Sequence, residues 1–219
     1  MKKAGFLPKY TLGEELLSSI SHGVGTALSV AGCVVAIVYA AKYGTAWSVV
    51  SAAIFGASLI ILYCMSTLYH AITAARAKTV LRVLDHTTIF LLIAGTYTPI
   101  TLVTLRGPLG WTMFGLVWAS AILGIVLNAV SIEKFKVFSM ISYVASGWAV
   151  IIGIKPLIEN LEKNGLILLV AGGIMYTAGL VFYALKNIKY MHGIWHFFVM
   201  AGSILHYFCI LFYVLPDKI

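Results

Sequence analysis

Residues 46–72 read AWSVVSAAIFGASLIILYCMSTLYHAI, a run without a single Asp, Glu, Lys or Arg. At about 1.5 Å of rise per residue, a helix of this length exceeds a hydrocarbon core of about 30 Å. No period-two alternation marks it as a barrel strand. It closes on a polar end, Ser66-Thr-Leu-Tyr-His70. The stretch therefore reads as a transmembrane helix with a histidine near one membrane face.

Six more segments share the pattern: 17–41, 80–104, 111–131, 137–156, 165–185 and 191–215. Charged or turn-forming clusters separate them, among them Lys42-Tyr43-Gly44, Arg76-Ala77-Lys78, Arg106-Gly107-Pro108, Glu133 to Lys136, Glu159 to Lys163 and Lys186 to Lys189. Composition agrees. Of 219 residues, 61% are hydrophobic and 10% charged, and the mean hydropathy is +1.00. Soluble domains carry about 25% charged residues and disordered chains are poor in apolar ones, so both classes are excluded. A net charge of +8 spread this thinly is no nucleic-acid surface. Membrane lipid is the expected surrounding. The expectation is an all-α membrane protein with seven transmembrane helices, residues 1–219 forming one domain.

Loop charge predicts the orientation. A cytoplasmic N-terminus puts Lys2, Lys3, Lys9, Arg76, Lys78, Arg82, Lys134, Lys136, Lys186 and Lys189 inside. Only Lys42, Arg106, Lys155, Lys163 and Lys218 are then outside, as the positive-inside bias requires. The C-terminus is expected outside, because the number of spans is odd. Glu14 and Glu15 interrupt the basic N-terminus, and the apolar run that follows is too long for a signal-peptide core, so no cleavable leader is expected. Cys33, Cys64 and Cys209 lie in apolar runs without metal or redox spacing and read as structural thiols.

Ionisable residues inside spans are costly and mark function by default. Here they are His22, His70, Asp85, His86, His192, His196 and His206. The first six fall near the cytoplasmic ends of their helices. His206 lies ten residues beyond His196, about 15 Å deeper. His192-Gly-Ile-Trp-His196 is an i, i+4 pair that projects both imidazoles from one face. Ser66 precedes His70 by one turn, and Ser18 precedes His22 in the same way. Histidine nitrogen is the usual zinc ligand, and catalytic sites use three protein ligands. Gly193 replaces the glutamate of the zincin motif, so any general base comes from elsewhere; Asp85 is the one carboxylate clearly inside a predicted span.

Each residue also has a structural reading. Asp85 has Arg82 one turn away as an ion-pair partner, His86 is expected to face away from Asp85's partners, and His206 reads as a hydrogen-bonded packing residue. Tyr97-Thr98-Pro99 reads as a kink, and Gly172, Gly173 and Gly179 as close helix packing. Spacing leaves open whether His22 or His70 joins the span-7 pair.

These motifs together resemble the hemolysin III family, within the superfamily of progestin and adiponectin receptors. The resemblance spans essentially the whole chain. It is carried by Glu14-Glu15-Leu-Leu-Ser18-Ser19-Ile-Ser-His22, Ser66-Thr-Leu-Tyr-His70, Leu84-Asp85-His86, Gly95-Thr-Tyr-Thr-Pro99, His192-Gly-Ile-Trp-His196 and His206. Ser18 stands where family members often carry Asn. The resemblance implies seven helices with a cytoplasmic N-terminus in a bacterial plasma membrane, and Zn2+ held by His70, His192 and His196. It also implies that Asp85 meets the zinc through water, with Ser66 beside it as the second catalytic residue, and that the substrate is a membrane lipid amide or ester, as in ceramidases. A structural zinc in a receptor-like or regulatory protein is the alternative. A lytic pore is the third, and so few charges provide no polar stripe for one.

Overall fold

The computed structural model describes residues 10–185 and 188–217. Among these the chain forms seven helices long and apolar enough to cross a membrane: α1 (Leu12–Tyr43), α2 (Ala46–Ala71), α3 (Ala75–Thr104), α4 (Pro108–Val130), α5 (Ile132–Asn160), α6 (Lys163–Ala184) and α7 (Met191–Val214). There is no strand among the described residues. Lys2, Lys3, Lys9, Lys186 and Lys218, which contribute to the predicted orientation, lie outside them.

α1, α3, α4, α5 and α6 begin two to five residues before the hydropathy limits, whereas α2 and α7 begin on them. The first starts five residues before the predicted 17, at Leu12. Thr11 caps it, its hydroxyl accepting from the Glu14 N–H while its own N–H donates to Glu14 Oε2 at 2.8 Å. Glu14 and Glu15 therefore lie inside the first span, which corrects the expectation that Asp85 is the one carboxylate within a helix. α1 is also inside-out: Glu14, Ser18, Ser21, His22, Gly25 and Ser29 face the protein, whereas Leu16, Ile20, Val24 and Leu28 face outward. In lipid the outer face is the apolar one, so polar groups gather where other helices cover them.

Neighbours in sequence pack together from α1 to α5, and α7 closes against both α6 and α1. One apolar core joins Ala36, Phe55, Leu59, Leu92, Val199 and Ile210 of α1, α2, α3 and α7. A second joins Phe90, Ala94, Met113, Val117, Leu157 and Cys209 of α3, α4, α5 and α7. Pro99 does not break α3. The α-helix runs to Pro99 and continues as a π-helical turn, Ile100–Thr104, closed by Leu105 N–H donating to Ile100 O. The irregularity that sequence did not announce is in α5, where Ala149–Gly153 tightens to a 3-10 turn. Tyr97 repairs it from α3: its hydroxyl donates to Gly147 O at 2.9 Å and accepts from Val150 N–H at 2.7 Å. Such repair is what a broken helix needs where water is excluded.

Candidate metal centre

Two helices, α2 and α7, bring His70, His192 and His196 together, buried, with one nitrogen of each within 4.8 Å of the others. His70 Nε2 and His192 Nε2 are 3.2 Å apart. Two ligands at about 2.0–2.1 Å from one tetrahedral ion stand about 3.3 Å apart, so the pair already has metal-site spacing. The i, i+4 reading of His192 and His196 thus holds, and His70, not His22, completes the cluster among the described residues.

The outer partners orient the rings. Glu15 Oε2 lies 2.7 Å from His70 Nδ1, and Lys78 Nζ holds the other carboxylate oxygen at 2.6 Å. A carboxylate at that distance keeps the proton on Nδ1 and leaves the Nε2 lone pair facing the cluster. On His196, Nδ1 faces Ser18 O at 3.3 Å, which leaves its Nε2 bare in the same way. His192 has no hydrogen-bond partner at Nδ1; instead Tyr10 stacks on its ring, centroids 5.1 Å apart. Burial raises the Tyr10 phenol above its ordinary pKa and keeps it neutral against the cluster.

The turn into α7 is fixed from α1. Tyr190 adopts φ +65, a left-handed conformation unusual for a side-chain-bearing residue. Its N–H donates to Glu14 Oε1 at 3.0 Å. One turn on, a Cβ at Gly193 would lie 2.5 Å from Leu17 Cδ2. Glycine at the position of the zincin glutamate is thus what lets α1 approach the ligand pair.

Asp85 and Ser66 line a cavity of about 30 Å³ together with His22, His86, His192 and His196. Neither carries a ligand atom of the three-histidine cluster. The Ser66 hydroxyl is buried without a hydrogen-bond partner. Two expectations need correction here. Arg82 reaches Glu133 of α5 at 2.6 Å, so the helix-local pair with Asp85 does not account for its charge. His86 does not turn away: its Nδ1 is 3.4 Å from Asp85 Oδ2 and 3.0 Å from Arg82 O, and it lines the same cavity. His206 behaves as read, its Nε2 meeting Leu169 O at 2.9 Å.

The family described as Haemolysin-III related matches residues 10–207 of this chain. The chain belongs to that family. It is 45% identical over 203 residues to Hemolysin-3 of Bacillus cereus, covering 93% of each chain. It is also 45% identical over 204 residues to Hemolysin-3 homolog of Bacillus subtilis (strain 168), covering 93% of this chain and 96% of that one. Monocyte to macrophage differentiation factor of Homo sapiens is 29% identical over 172 residues, 75% of this chain and 70% of its own, in keeping with the wider superfamily. This Haemolysin-III related chain is accordingly a multi-pass membrane protein with three clustered histidines able to hold a metal ion.

The residue that sequence reasoning passed over in this Haemolysin-III related protein is Glu15. The signal was available: Glu15, Ser18 and His22 fall at i, i+3 and i+7, on one helix face.

Proposed function

We propose that the protein is a zinc-dependent hydrolase of the bacterial plasma membrane, cleaving a lipid amide or ester near the cytoplasmic leaflet, with its N-terminus cytoplasmic. The observation that carries this reading is the division of labour among buried polar groups. Three histidines cluster, and two of them, His70 and His196, turn a hydrogen-bonded Nδ1 outward to an acceptor on α1. A carboxylate and a hydroxyl stand beside them without joining the cluster.

Three histidines fit zinc by donor type, spacing and proton placement. Bound there, zinc supplies Lewis acidity toward the scissile carbonyl and the attacking water. Asp85 would accept the proton of that water and return it to the leaving amine or alkoxide as the C–N or C–O bond breaks, while Ser66 Oγ–H would donate to the carbonyl oxygen as negative charge develops on it. Glu15 keeps the His70 ring in its ligating tautomer. Leu62, Ile89, Trp195 and Val199 line both the polar cavity and an apolar one of about 100 Å³. A polar chamber adjoining an apolar one suits a ligand with a polar head and a hydrocarbon chain.

The test is fatty-acid release from a broad panel of lipid amides and esters by purified protein with zinc content measured. Release that Asp85→Ala abolishes is the expected result. No release from any lipid, with zinc bound at one per chain, overturns the reading.

The second reading is a receptor-like or regulatory protein with a structural zinc. It draws on Glu15, which already joins α1 to His70 of α2 and Lys78 of α3. Direct Asp85 ligation in a metal-loaded structure favours it, because four protein ligands close a tetrahedral site. An exchangeable water at that position favours hydrolysis.

A further inference from the structure

His22 is the histidine of the buried layer that the cluster does not use. The residue is 3% exposed. It stacks on His196 with centroids 3.6 Å apart and 13° between the planes, and meets Tyr63 edge-on at 4.9 Å. Those contacts fix the plane of the ring and leave its nitrogens unengaged: neither Nδ1 nor Nε2 has a hydrogen-bond partner.

A packing role leaves a different trace. His206, the packing histidine of the same protein, meets Leu169 O, and His86 meets Arg82 O. Buried polar groups are paired as a rule, and one left unpaired is costly. His22 has two such atoms, and it shares its cavity with the unpaired hydroxyl of Ser66. The cavity, about 30 Å³, has room for one small polar group. Its apolar neighbour extends away past Trp195 and Val199.

We propose that His22 is a substrate-binding residue, its imidazole N–H donating a hydrogen bond to the carbonyl oxygen of a lipid amide or ester seated between it and Ser66. The choice of ligand rests on the hydrolase reading; the role of His22 rests on its own unpaired nitrogens. Stacking on His196 ties this donor to the ligand cluster, so the carbonyl is aligned with the same histidines that hold the ion. His22 binds no metal in this scheme.

The experiment measures binding, not turnover. The probes are a long-chain N-alkyl amide carrying a 13C carbonyl and an alkane of equal length, each titrated into zinc-replete protein in nanodiscs. Wild type is expected to prefer the amide and to shift its carbonyl infrared band to lower frequency. His22→Phe should bind the amide about tenfold more weakly and abolish most of the shift, a loss typical of one buried hydrogen bond. Zinc content and alkane binding should not change. His22→Gln, which keeps an N–H donor, should restore part of both signals. Amide affinity and band position unchanged in His22→Phe overturn the inference while the hydrolase reading stands. Loss of zinc in His22→Phe also overturns it, by making His22 part of the metal site. If His22→Phe does not fold, a folded, zinc-loaded His22→Gln with no carbonyl shift has the same force. No preference for amide over alkane in wild type defeats the inference and the hydrolase reading together.

Discussion

α3 and α5 are both apolar enough to span a membrane, yet 72% of the most apolar window of α3 is buried within the protein and only 11% of that of α5. α3 carries Asp85, His86 and Tyr97, and each of them engages another group: Asp85 meets His86, His86 also meets Arg82 O, and Tyr97 bridges the broken helix of α5. α5 presents Ile141, Ile151 and Ile152 outward. Apolarity alone therefore does not predict which span sits inside. In lipid the apolar helix face has nothing to gain by hiding, and polar groups with work to do draw a helix inward.

The sharpest way to break this contrast is to remove ligands from the buried side. His70→Ala, His192→Ala and His196→Ala should each reduce zinc affinity by more than about 100-fold, since inner ligands count for more than the outer partners that cost 10–100-fold. Elemental analysis of the purified variants checks it. Full zinc in His70→Ala with loss in His22→Ala would reverse the ligand assignment. The outer groups come next. Glu15→Gln should weaken zinc binding by about 10–100-fold by loosening the His70 tautomer, and Asp85→Ala should lose hydrolysis while losing no more affinity than that. Competition with a chelating dye measures both.

Smaller effects test packing. Gly172→Ala puts a Cβ into the His206 ring, which its bond to Leu169 O holds in place. We expect about 1–3 kcal/mol of destabilisation with zinc unchanged, read from thermal unfolding in detergent. His206→Ala should likewise keep zinc at full stoichiometry. On the outward face, Ile151→Ala should stay within about 0.5 kcal/mol of wild type in the same assay. A large loss there would mean that α5 is covered by something other than lipid.

The seven helices were legible because each apolar run is longer than a hydrocarbon core and ends in charge. The side-by-side histidines of α7 were legible because i, i+4 spacing is a local property. What spacing could not give was the choice between His22 and His70. Both follow a serine by one turn, and only the packing of α1 and α2 against α7 separates a ring that faces the cluster from one that stacks on it. His86 was misread for a related reason: adjacent helix positions point about 100° apart, yet the cavity is wide enough to collect both Asp85 and His86. The α5 irregularity had no local sign either, since its cause is a tyrosine hydroxyl on α3.

His70 and His192 touch across 122 positions of sequence. Helices enter the bilayer in chain order, so the first contributor waits, already embedded, until nearly every other segment has been synthesised. A partly inserted chain can bury apolar surface but cannot assemble the triad. A metal ion held by the three histidines would therefore report that the last span is in place, since a chain truncated before Met191 lacks two of the three.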